Sequence, residues 1–224
     1  MTAPVTLALD ASARAGSAAV VLGGRVLAER TVAVRDQHAE LLMPALVGAL
    51  ADAGLSVADV ARVACGAGPG SFTGLRIAAS LAKGIAAARS LPLYARSSLA
   101  LMVAAAEPVL PAGRYLATLG ALRGETFVEA VTVAESGAVI EQEAFALMTE
   151  EQLWSRAQRE RAAVVGPGRD IDLLPHARGF ARDERTWFGS AAPVDLALWE
   201  PLYGRVAEAQ ARWEAAHGRP LPAP

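Results

Sequence analysis

Two α/β lobes are what this sequence predicts, and three observations predict them. The element order strand, strand, strand, helix, strand occurs twice. A break at Pro108 and Pro111 separates the two occurrences, giving expected lobes at 1–107 and 108–224. In the first, a glycine-rich nonamer, Gly68-Pro69-Gly70-Ser71-Phe72-Thr73-Gly74-Leu75-Arg76, joins a short apolar strand to a long helical pattern. A chain of 224 residues fits two lobes of about 100 residues each.

The first lobe opens with Thr6–Asp10, a strand ending in an acid. Ser17–Leu22 is its hairpin partner, and Gly23-Gly24 is a two-residue turn into a third strand, Arg25–Val34. Asp36 is placed to cap a helix over 37–53, with Leu42, Leu46, Ala49 and Leu50 on one face and Gly54 at its end. Pro44 is expected to kink that helix or loosen its first turns. The strand Arg62–Gly66, the nonamer, a helix over 72–89 and the strand Pro92–Ala95 follow, and Ser97 caps a further helix.

The second lobe repeats the order. Tyr115–Leu122 and Glu125–Val133 form a hairpin around Arg123-Gly124, with a third strand near Val139–Ala146. Thr149 and Gln152 have capping-box spacing for a helix to about Arg159. Arg161–Val165 is a strand ending in Gly166-Pro167-Gly168, 169–190 reads as irregular and charged, and Val206–Ala216 as a last helix. A three-strand meander followed by helix and strand is the ribonuclease-H-like unit. Two such units facing a cleft make the actin/Hsp70/sugar-kinase (ASKHA) architecture.

Composition narrows the function. With 53% hydrophobic and 20% charged residues the chain can bury a sizeable core. Aromatics at 5% leave few stacking platforms for single-stranded nucleic acid, and a net charge of −2 lacks the basic excess of a dedicated nucleic-acid binder. Cys65 sits in an apolar strand as a small hydrophobe. The start carries no signal-peptide pattern, and Arg76, Lys83 and Gly84 interrupt the alanine-rich stretch 75–88, so a soluble cytoplasmic protein without a membrane span is expected.

The nonamer admits two chemistries. A helix N-terminus has N–H groups without intrahelical partners and can hold an anion, which makes Gly68, Gly70, Ser71, Thr73 and Arg76 candidate phosphate or nucleotide contacts together with Asp10 and Ser12. Ser71 and Thr73 are equally good helix caps, and Asp10 equally a turn cap. The segment Gly120-Ala121-Leu122-Arg123 brings no acid to the second lobe's first strand end, so a two-sided clamp on ATP is incomplete. The histidines, His38, His176 and His217, form no metal-ligand pair in sequence and read as surface residues. Ser71 lacks a nucleophile elbow, and no catalytic residue is assigned.

The two long helices offer apolar surface beyond one core. On 72–89, Gly74, Ala78, Ala82 and Ala86 form a small-residue stripe beside Ile77, Leu81 and Ile85. Either the helix is buried on most sides, or one stripe meets a partner. The second reading makes His38, Leu42, Leu46, Leu75, Ala78, Ala79, Ala82 and Lys83 an interface, in which Ala78→Arg or Leu46→Asp should abolish binding and spare the fold.

Gly68–Ile77 resembles the signature of the TsaB (YeaZ) family. Leu9-Asp10 with Ser12, the run His38–Pro44, Ser97-Ser98-Leu99, Arg123-Gly124-Glu125 and Pro201–Arg205 fit it too, so the likeness runs nearly end to end. It implies an ASKHA-like fold and a part in making threonylcarbamoyladenosine (t6A) on tRNA. The resemblance implies a dimerising, activating subunit that binds the catalytic paralogue TsaD and the ATPase TsaE, forms a homodimer in isolation and meets tRNA through the complex. No cofactor is implied for the chain alone; ATP, ADP or the threonylcarbamoyl adenylate belong to the complex. The chain departs from the family at Gly120-Ala121-Leu122-Arg123, where an Asp-Ala-Arg run is usual, and at Gly204 within Tyr203-Gly204-Arg205. A stand-alone nucleotide-dependent kinase or hydrolase, or a glycoprotease-like metallopeptidase, is the alternative.

Overall fold

The computed structural model describes residues 3–33, 41–121, 124–204 and 217–218, and two five-stranded sheets organise them. In the first, β1 (Thr6–Asp10), β2 (Ala15–Leu22) and β3 (Arg25–Ala33) form the expected antiparallel meander. The two-residue turn between β2 and β3 has φ of 60° at Gly23 and 79° at Gly24, a left-handed pair that glycine adopts without steric cost. Strands β4 (Arg62–Gly66) and β5 (Leu93–Arg96) add in parallel, giving the order β3-β2-β1-β4-β5.

Every residue of β1 is buried because both faces of this sheet are covered. On one face lie α1 (Leu42–Asp52) and α2 (Phe72–Arg89), joined in one core with Leu7, Leu9, Val20, Val63 and Cys65. The described α1 starts at Leu42, which puts Pro44 in the first turn, where its missing N–H leaves no intrahelical bond broken. The proposed cap Asp36, the residues 37–40 and the last helix 206–216 lie outside the described residues.

The second sheet has the order β10-β6-β7-β8, from β6 (Gly113–Gly120), β7 (Thr126–Val133), β8 (Val139–Glu141) and β10 (Ala163–Val165). The expected third strand is broken. Its second piece, β9 (Ala146–Met148), also pairs with β7, and between the pieces Glu143 reaches Arg156 while Phe145 packs edge-on against Phe127. The capping box of α4 (Glu150–Glu160) forms as its spacing predicts: Gln152 N donates to Thr149 Oγ1 at 3.3 Å, and Thr149 N to Gln152 Oε1 at 2.9 Å. The helix α3 (Ser98–Ala104) is wholly buried between the sheets.

The stretch 169–190 is ordered and largely apolar where it counts, contrary to expectation. A 3-10 turn at Ala177–Ala181 and α5 (Glu184–Ser190) cover the second face of the first sheet, burying Ala177, Phe180, Ala181 and Phe188 against Ala8, Ala19 and Ala64. Buried ion pairs fasten this segment. Arg62 bonds Glu184 at 2.5 Å and lies 3.6 Å over the Phe188 ring, while Arg96 bonds Asp183 at 2.7 Å. Val194, Leu196 and Trp199 then join the α1–α2 core, so the chain after β10 returns to the first lobe.

Candidate functional site

Parallel strands β1 and β4 end side by side, which sets Asp10 against Gly66 at the mouth of the nonamer. Asp10 is fully buried. Its Oδ1 accepts from Ser12 N at 2.9 Å and Ser12 Oγ at 2.8 Å, and its Oδ2 accepts from Ser98 Oγ at 2.6 Å. Burial raises its pKa above the ordinary carboxylate value, and the bonds from Ser98 and Ser12 pull back against that rise. Ser98 Oγ in turn accepts from Gly68 N at 3.0 Å, tying the acid to the loop.

The glycines of the loop are explained by what lies against them. A Cβ on Gly66 would stand 1.8 Å from Asp10 Oδ2, one on Gly70 2.1 Å from Ser12 O, and one on Gly74 2.0 Å from Ala11 O. A Cβ on Gly68 would meet Leu202 O at 2.4 Å. The turn after β1 and the tail at residue 202 therefore rest directly on the loop backbone, and Ser71 N donates to Ser12 O at 2.7 Å. Ser71 also caps α2, its Oγ accepting from Gly74 N.

The structure thus brings Asp10, Ser12, Gly68, Gly70 and Ser71 together. Thr73 and Arg76 do not join them: both are exposed on α2, with Arg76 5.3 Å over the Phe72 ring. Sequence reasoning missed Ser98 and Glu129. The adjacent serines at the start of α3 were the available signal: Ser98 binds Asp10 of the first lobe, and Ser97 Oγ donates to Glu129 of β7 in the second. Burial pushes the Glu129 pKa up to about 7, helped by repulsion from Glu141 and opposed by Ser97 and Arg96.

The expected interface needs correction. Leu42, Leu46, Leu75, Ala78, Ala79 and Ala82 are buried inside the chain's own fold, and Lys83 is half-buried with its ammonium 5.8 Å over Trp199. The small-residue stripe of α2 faces its own sheet, because alanines let the helix lie close to it. His38 lies outside the described residues. What is exposed is the opposite face of α1, with Leu41 and Met43 at 44% and Val47 at 55%, and Phe72 at 43% on α2. Both helices join parallel strands, β3 to β4 and β4 to β5, so both begin at the edge where β1 and β4 end.

Among the described residues, no group of three or more His, Cys, Asp and Glu side chains is placed to hold a metal. His176 is half-buried rather than exposed. Its Nδ1 accepts from Arg178 N at 3.1 Å, its Nε2 lies 3.0 Å from Thr31 Oγ1, and burial with the Arg178 charge lowers its pKa to about 4. Burial also pushes the Cys65 thiol pKa up. Among the described residues, no helix is long and apolar enough to cross a membrane. A groove of about 560 Å3 on the second lobe, between β9 and α4, contains none of the candidate residues.

Two meander-plus-crossover lobes about a buried central helix define a protein of the ASKHA class, one whose first strand-end acid is held by the fold itself. Residues 26–136 match the family model described as TsaD, tRNA N6-adenosine threonylcarbamoyltransferase. The Escherichia coli tRNA threonylcarbamoyladenosine biosynthesis protein TsaB is 33% identical over 89% of this chain and 98% of its own. The Haemophilus influenzae protein of the same name is 35% identical over 56% of this chain and 52% of its own. The solved structure of YeaZ from Pseudomonas aeruginosa superposes with a TM-score of 0.75 at 28% identity, covering 89% of this chain and 99% of that one. The chain belongs to the TsaB family of tRNA threonylcarbamoyladenosine biosynthesis proteins.

Proposed function

We propose that this chain is the non-catalytic, dimerising and activating subunit of a t6A-forming complex. It docks the threonylcarbamoyltransferase paralogue TsaD through the outer face of α1 and the start of α2, and works with the ATPase TsaE. The observation that carries this reading is the division of α1. Leu42 and Leu46 fill the core, while Leu41, Met43 and Val47 stand exposed on its other face, and Phe72 is exposed at the start of α2. Exposed apolar residues along one helix face mark a surface that a partner covers. A partner built on the same fold presents helices of the same kind, so a homodimer through this face is expected when the paralogue is absent. The engagement of both Asp10 oxygens supports a passive first lobe, and nucleotide and tRNA are assigned to the assembled complex.

Co-purification with TsaD and TsaE, followed by a tRNA modification assay with each component left out, tests the reading. A Met43→Asp, Val47→Asp double variant should keep its circular dichroism and lose TsaD binding and t6A formation by about tenfold or more. Retained binding and activity would overturn it. ATP titrated against the isolated chain should give no binding heat.

A further inference from the structure

The tail from Trp199 to Gly204 touches both lobes, and nothing in the docking reading uses it. Trp199 is packed in the first-lobe core. Leu202 N donates to Ala67 O at 2.7 Å, and Leu202 O lies where a Cβ on Gly68 would have to go. Tyr203 packs on Phe72 with ring centroids 4.7 Å apart. One residue further, the chain meets the other lobe: a Cβ on Gly204 would stand 2.4 Å from Phe127 Cε1, and Phe127 is a core residue of the second sheet.

The nonamer is therefore held from two sides. Ser98, at the start of α3, takes the Gly68 N–H from within, and the tail lies across Ala67 and Gly68 from without. We infer that residues 199–204 form a strap that couples the Gly68–Ser71 loop of the first lobe to Phe127 of the second. The glycine at 204 suits such close passage: it sits at φ 71° with its Cα against an aromatic ring. Motion of the second lobe about α3 must then move or release the loop that starts α2. The inference concerns contacts within one chain and stands whether or not a partner docks on α1.

Coupling of this kind is reciprocal, so it can be read from either end. Gly204→Ala crowds Phe127 and strains the strap's left-handed backbone at that one residue, which touches no part of the loop, yet it should speed hydrogen exchange at the Gly68 and Ser71 amides by about tenfold. A chain ending at Leu198 should do the same and also speed exchange at Phe127 and Val128, while amides of α4 keep their parent rates. Parent rates at Gly68 and Ser71 in Gly204→Ala would overturn the inference. So would faster exchange throughout α4, which would mean general unfolding. Should the shortened chain not fold, Gly204→Ala decides alone.

Discussion

In the first lobe the register pairs Leu9 with Cys65 and so sets Asp10 beside Gly66; in the second it pairs Ala117 with Val165 and sets Thr118 beside Gly166. Both glycines are forced by the side chain opposite, since a Cβ on Gly166 would lie 2.4 Å from Thr118 Oγ1. The first lobe fills the position with a buried acid held by Ser12 and Ser98. The second fills it with a neutral hydroxyl that donates to Val165 O at 3.0 Å. The buried acid of the second lobe is Glu129, on the next strand, and it faces Ser97 rather than the strand end. One backbone plan therefore carries two different polar solutions, and α3 joins them through adjacent serines.

Five substitutions break or sharpen this comparison. The largest effect is expected from Gly66→Ala, which drives a methyl into the Asp10 carboxyl and should cost about 4 kcal/mol in urea unfolding. Asp10→Ala should follow at about 3 kcal/mol, because it strands the Ser12 amide and the Ser98 hydroxyl in the interior. Its counterpart Thr118→Ala should cost about 1 kcal/mol, and equal losses would refute the asymmetry between the lobes.

Glu129→Gln tests the second lobe's acid by pH. With its folded pKa raised to about 7 from 4.5, the neutral carboxyl favours the folded state. That contribution is complete below the unfolded pKa and is lost as pH rises through about 7. Wild-type stability should drop by about 2 kcal/mol between about pH 5 and pH 8 on this account, and the glutamine variant should lack the drop. Ser97→Ala should likewise cost only about 1 kcal/mol, for a lost helix cap. It should shift the pH midpoint of the Glu129 contribution upward, because it removes a bond that favours the carboxylate.

The meanders, the Gly23-Gly24 turn, the capping box at Thr149 and the long helix after the nonamer were legible because each rests on a local rule of spacing or backbone freedom. Gly-Pro-Gly occurs in both halves, but the two runs are not structural counterparts. Register aligns Gly166 with Gly66, so the run at 166–168 begins two residues before its apparent counterpart at 68–70. Most of the residues named for the interface proved buried for a related reason. Periodicity gave α1 and α2 two apolar faces each but could not say which face the sheet takes. Leu46 and Ala78 proved to be core, and substituting charge there would unfold the chain rather than free its surface.

Sequence alone determined the two-lobed plan, the helices and turns, and the family, because these follow from periodicity, glycine and proline positions, and a specific nonamer. Tertiary structure alone decided what the nonamer's glycines are for. Residues 12, 98 and 202 converge on that loop from three parts of the chain, and only folding brings their backbone and hydroxyl groups within bonding distance. Contacts across such separations depend on how the sheets stack, which no local pattern encodes.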